Sequence, residues 1–254
     1  GGIKANYKYP YNFISENLKI QQNLIEAAWI HGTRRLLFLG SSCIYPKNSN
    51  LPIKEEELLG SYLEKTNESY AIAKIAGLKL CEALRKQYGF DAISLMPTNL
   101  YGTGDNYHPN NSHVMPALIS KFINAKNLFH KEVTCWGTGE PLREFLHVDD
   151  LARAIVFALE NWDPNSYDAP LDKNNEPLTF LNVGTGKDIS IKELASKISE
   201  KIGFKGNIIW DKTKPDGTPK KLLNVDKLKK MGWEPLISLD EGINKTIKEY
   251  RMQS

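Results

Sequence analysis

Two short stretches of the sequence carry side chains able to do proton chemistry. The first, GSSCIYP (Gly40 to Pro46), sets the hydroxyls of Ser41 and Ser42 and the thiol of Cys43 directly after the apolar run RRLLFLG at 34–40. A strand that is apolar throughout, rather than alternating, reads as buried on both faces, as in a parallel sheet covered by helices. Such sheets bind ligands at the carboxyl ends of their strands, which is where these residues stand. The second stretch, YAIAK, places Tyr70 and Lys74 one turn apart on one face of a helix. A phenol is a poor acid or base near neutrality, and a neighbouring ammonium favours the phenolate and draws its pKa down. By itself the pair is a weak signal, since Tyr-x-x-x-Lys arises by chance in many helices. Ser41 adds weight, because a hydroxyl at the preceding strand's end would stand beside the phenol at the sheet edge. Cys43 alone reads as a small buried hydrophobe, the commonest fate of a free cysteine.

The elements that must position these groups alternate along the chain. A helix over 12–29 precedes the strand at 34–40, a long helix over 68–88 follows, and DAISLMP (91–97) is the next strand. This alternation predicts a parallel, right-handed α/β sheet of Rossmann type. Beyond Asn99 the texture loosens into a loop rich in Pro, Asn and His. After it come helices near 114–125, 148–160, 190–203 and 239–250, and strands EVTCWG, TFLNVG and NIIWD. We read residues 1–105 as the remainder of a cofactor-binding Rossmann domain. Residues 106–254 read as mainly a smaller substrate-binding domain, with some segments returning to the sheet.

Composition excludes several classes. With 254 residues, 41% of them hydrophobic and 25% charged, the chain can bury a full core and is no disordered or fibrous protein. Thirty-three basic against 30 acidic residues leave +3, with lysines scattered over amphipathic helices, which makes no case for nucleic acid. Three cysteines, Cys43, Cys81 and Cys135, form no pairing pattern and argue for a reducing compartment, read as cytoplasmic. No apolar run approaches the roughly 18 residues of a membrane span. HVDD (His147 to Asp150) reads as a helix start with Asp149 and Asp150 at its positive end, not as a metal site.

Ser41, Tyr70 and Lys74 resemble the Ser-Tyr-Lys triad of the short-chain dehydrogenase/reductases, in the extended branch that acts on nucleotide-sugars. The likeness narrows further. FLGSSCIYPK, ESYAIAKIAGLKLCE, MPTNLYG, DNYHPNNSHVMPALI, WGTGEPLREFLHVDD, NVGTG and KPDGTPKKLL, in this order, are similar to the GDP-L-fucose synthases. This resemblance implies one active site that inverts two carbons flanking the ketone of GDP-4-keto-6-deoxy-D-mannose and then reduces that ketone with NADP(H). It implies the triad plus an acid/base pair matched by Cys43 and His113. The chemistry suits them: a thiolate can take a proton alpha to a carbonyl and an imidazole can return one near pH 7. By the same resemblance Leu39, Gly40, Ser41 and Ser42, Tyr70 and Lys74, Pro97, Thr98, Asn99 and Leu100, and His113 stand against the cofactor. Lys121, Trp136, Arg143 and Lys221 match positions that hold the nucleotide part of the substrate, where an indole packs and cations meet phosphate. His108 is taken as structural.

The resemblance also marks a departure. The family opens with a strand, a glycine-rich turn and a helix that hold the cofactor pyrophosphate, and no such turn precedes Ser41 here. The first residues are similar to those after the family's fourth strand, so the sheet is expected to be incomplete, with an apolar edge. Another epimerase or dehydratase of the branch would share the triad but not Cys43 and His113, and a chain that only binds a nucleotide-sugar or a partner subunit is a second alternative. In the extended branch two helices per subunit form a four-helix bundle. A homodimer through the helices at 12–29 and 68–88 is therefore expected, on apolar residues such as Ile14, Leu18, Ile25, Ile75, Leu78 and Leu80.

Overall fold

A computed structural model describes residues 2–109, 111–214 and 216–253. Helix α1 (Ile3–Lys8) leads into α2 (Pro10–Ile30), where Pro10 sits in the first turn, the place its missing N–H favours. Strand β1 (Leu36–Leu39), α3 (Glu68–Tyr88) and β2 (Ala92–Pro97) follow, and β6 (Phe180–Val183) joins them in a parallel sheet of order β1-β2-β6. Leu36 pairs with Ala92 and Leu39 with Leu95, so β1 and β2 end side by side. β2 is buried along its whole length. In β1 only Phe38 is buried, because β1 has one neighbouring strand in this sheet and Leu36, Leu37 and Leu39 stay half-buried at its edge.

Strand β3 (Asn99–Tyr101) leaves β2 after Thr98 and pairs in parallel with β5 (Leu142–His147). β5 also pairs antiparallel with β7 (Asp188–Ser190) and parallel with β9 (Lys220–Lys221). Between β3 and β5 lie α4 (Val114–Asn127) and β4 (Glu132–Trp136); α5 (Val148–Asn161) follows β5. β4 pairs in parallel with β8 (Asn207–Asp211), and α6 (Ile191–Ile202), α7 (Asp226–Lys230) and α8 (Leu239–Gln253) complete the chain. Ser190 and Glu193 form a reciprocal cap that starts α6 where β7 ends.

The described residues form two apolar cores. One gathers β1, β2, β6, α3 and α5 and takes in Leu223, Leu228 and Trp233 from late in the chain. The other gathers α4, α6 and α8 with β4, Tyr101 and Phe145. The helix packing corrects one expectation. Ile25, Ile75 and Leu78 are buried in the chain's own first core, because α2 lies along α3, fastened by a buried bond from the Gln21 amide to the Ala73 carbonyl (2.5 Å). The exposed large apolar residues of α2 are Tyr11, Ile20, Leu24 and Ile30, while Ile14 and Leu18 stay half-buried. HVDD does begin a helix, with the His147 side chain accepting from the Asp149 N–H. Asp150, however, is wholly buried and accepts from the N–H groups of Leu236 and Ile237, so it ties down a distant loop. Among the described residues no helix is long and apolar enough to cross a membrane.

Candidate active site

A cleft of about 520 Å³ opens where β1 and β2 end. After β1 the chain turns at once into a single 3-10 turn, Ser42–Ile44, and the Ser41 hydroxyl caps it by accepting from the Cys43 N–H at 3.2 Å. That turn sets Ser41, Ser42 and Cys43 in the cleft wall. Helix α3 brings Tyr70 to the same wall, its ring edge-on to Phe13 of α2 at 6.2 Å between centroids. Lys74, one turn on, donates to the Leu39 carbonyl at 2.9 Å and lies 5.0 Å from the Phe38 ring centroid and 5.9 Å from that of Tyr70.

Burial sets the proton affinities. It pushes the Tyr70 phenol up to about 12, the nearby Cys43 adds to this, and a hydrogen bond with Ser41 opposes it. The expected fall caused by the ammonium is therefore not found: burial wins, while Lys74 itself is drawn below the ordinary lysine value by burial. Tyr70 is thus a protonated acid at neutral pH. His113 precedes α4, lines the cleft, and is held below the ordinary imidazole value by burial.

Pro97, Thr98, Asn99 and Leu100 form another part of the wall. Thr98 and Asn99 donate to the Glu144 carbonyl at 3.3 and 2.8 Å. Arg143 and Lys221 also reach the cleft, paired in the register of β5 and β9. Lys121 and Trp136 are not part of this wall: Lys121 donates to the Thr134 carbonyl (3.1 Å) and stands 5.7 Å from the half-exposed Trp136 ring. Leu39 contributes its carbonyl to Lys74 and does not itself line the cleft.

Sequence reasoning overlooked three residues here. Asn67, at the start of α3, donates to the Cys43 sulfur at 3.2 Å. Glu64 meets Lys47 and Thr218, joining the loops on two sides of the cleft. Glu144 is fully buried and accepts from the N–H groups of Thr185 (2.6 Å), Gly186 (2.7 Å) and Leu223 (3.0 Å). Burial raises its carboxyl while those bonds pull the other way. The block NVGTG is legible in this light: a Cβ on Gly184 would lie 2.2 Å from the carboxylate, and Gly186 has φ +67°. Replacing Glu144 by Gln turns an amide donor toward a backbone donor. Stability is expected to drop by about 1–3 kcal/mol in thermal denaturation, and the Arg143–Lys221 side of the cleft should loosen with it.

The profile of the NAD dependent epimerase/dehydratase family matches residues 1–169. The probable GDP-L-fucose synthase 1 of Oryza sativa subsp. japonica is 53% identical over 251 residues, covering 98% of this chain and 73% of the relative. The GDP-L-fucose synthase of Escherichia coli (strain K12) is 51% identical over 246 residues, 97% of this chain and 75% of that one. Among solved structures, MlghC, a GDP-mannoheptose C4 reductase from Campylobacter jejuni with NADP bound, superposes with a TM-score of 0.82 at 34% identity, covering 99% of this chain and 79% of that one. These relatives match this sequence almost end to end. The chain belongs to the NAD dependent epimerase/dehydratase family and, within it, to the GDP-L-fucose synthases.

Proposed function

We propose that this cleft converts GDP-4-keto-6-deoxy-D-mannose to GDP-L-fucose by epimerising C3 and C5 and then reducing C4. The observation that carries the reading is that Ser41, Cys43, Tyr70 and His113 all line one cleft. A hydroxyl, a phenol and a lysine gathered at strand ends fit the nicotinamide end of a dinucleotide. Ser41, Tyr70, Lys74, the 97–100 segment and His113 would hold NADP(H) there, with Leu39, Gly40 and Ser42 shaping the strand end. When bound, NADP(H) supplies the hydride.

The chain's own residues supply the protons. In each inversion Cys43, as thiolate, takes the proton from the carbon beside the ketone, and the C–H electrons move onto the carbonyl oxygen, where Tyr70 and Ser41 present O–H donors. His113, charged by a proton taken from solvent, returns a proton to carbon on the other face, and between the two inversions solvent takes up the proton held by Cys43 and recharges His113. In the reduction the Tyr70 O–H protonates the C4 oxygen. Lys74, braced on the Leu39 carbonyl, keeps a positive charge beside the phenolate that results. Arg143 and Lys221 face the diphosphate, and Lys121 with Trp136 take the nucleotide further out. In this scheme residues 1–105 with the returning β6 form the cofactor side, and most of the rest forms the substrate side.

Purified protein given NADPH and GDP-4-keto-6-deoxy-D-mannose is expected to lose NADPH absorbance in step with GDP-L-fucose formed, read by NMR. A product that keeps the manno configuration contradicts the epimerase half. Free Cys43, Cys81 and Cys135 fit a reducing compartment, and we place the enzyme in the cytoplasm. The exposed Ile20, Leu24 and Ile30 of α2, with Ile72 and Tyr88 of α3, favour a homodimer across these helices. Leu24→Glu should then halve the mass found by light scattering, and a parent that is already monomeric removes the proposal.

A further inference from the structure

Asn67 stands at the N-cap of α3, where an asparagine usually accepts a hydrogen bond from the first turn of the helix. It makes no such bond. Its amide nitrogen donates instead to the sulfur of Cys43 at 3.2 Å, and its carbonyl oxygen is buried without a hydrogen-bond partner. Both residues line the same cleft. The side chain therefore forgoes its ordinary cap and leaves its own oxygen unsatisfied while it addresses the thiol, which a purely structural asparagine has no reason to do.

We infer that Asn67 is a positioning residue for proton transfer at Cys43, its N–H fixing the sulfur at the cleft wall and meeting the negative charge there before the proton arrives. The step it serves breaks a C–H bond alpha to the ketone and forms an S–H bond, with the electron pair going to the carbonyl oxygen. As that proton lands, the sulfur becomes neutral and the bond from Asn67 weakens, so the contact is strongest in the state that starts the reaction. This inference rests on the reading of Cys43 as the epimerisation base.

Asn67→Asp separates this role from a structural one. Aspartate has the same size and is also favoured at an N-cap, so it is the mildest change that removes the donor for sulfur, and the melting temperature reports whether the variant is folded. Iodoacetamide labelling of Cys43 at neutral pH, followed by peptide mapping, reads the sulfur directly. Cys81 and Cys135 serve as silent controls, since both are buried and burial pushes their thiols up. Asn67→Asp and Asn67→Ala are each expected to slow Cys43 labelling about tenfold, the effect of one lost bond to a charged group. Exchange of the C3 and C5 hydrogens with deuterium should slow in parallel. A folded Asn67→Asp protein that labels Cys43 at the parent rate overturns the inference and leaves the epimerase reading standing. Parent-rate deuterium exchange in Cys43→Ser instead overturns that reading, and the inference with it.

Discussion

Replacing Tyr70 by Phe is expected to lower NADPH oxidation by about 10²- to 10⁴-fold, the usual consequence of losing a positioned general acid. The substitution removes only the hydroxyl. The ring remains edge-on to Phe13, so the wall of the cleft and the start of α3 stay in place. The phenol is suited to this task because burial holds it at about 12 and therefore protonated through the neutral range. The rate of the reduction should accordingly show no alkaline decline traceable to Tyr70 until pH approaches that value. The variant should still exchange the hydrogens beside the ketone with solvent deuterium, since Cys43 and His113 are untouched, and the ketone should accumulate. Stopped-flow absorbance for NADPH and NMR for the sugar read the two halves separately.

Cys43→Ser gives the complementary result. Serine keeps the shape of the 3-10 turn, whose backbone cap comes from Ser41 and not from the thiol. Its hydroxyl is far less ready than a thiol to give up its proton, so deuterium exchange beside the ketone should fall by about 10²-fold or more. Tyr70, Ser41 and Lys74 remain, and hydride delivery to a ketone should continue. The product then keeps the manno configuration at the carbons that were not inverted. The pair of variants thus splits one active site into two reactions.

The alternation of helices and strands was legible because it is written in local patterns. α3 has the predicted bounds, its first turn carrying Glu68 and its last Arg85 and Lys86, as the helix dipole favours. β2 is apolar but for Ser94, and its burial on both faces follows. What escaped notice depends on pairing between distant segments. β3, β7 and β9 have two or three residues each and exist only as partners of β5. No periodicity can reveal strands so short.

The site divides along the same line. Ser41, Cys43, Tyr70 and Lys74 lie in two short segments, one directly after β1 and one in the first turns of α3, so their convergence could be argued from topology. Asn67 was missed because an asparagine before a helix has an ordinary explanation as a cap. Glu144 was missed because its three donors come from residues 185, 186 and 223, far away in sequence. A glutamate followed much later by Gly184-Thr185-Gly186 was the available signal, since glycines there let backbone reach a carboxylate. Lys121 and Trp136 stand beside each other outside the cleft wall, a placement that spacing alone does not give.

The most direct measurement runs the complete reaction in D2O with NADPH and follows hydrogen into each carbon of the product by NMR. Two inversions through solvent-exchanging acids and bases place deuterium at C3 and C5, while the hydride leaves protium at C4. GDP-L-fucose with that labelling is the predicted result; a C4-reduced product carrying protium at C3 and C5 contradicts the account, because this cleft would then reduce without epimerising.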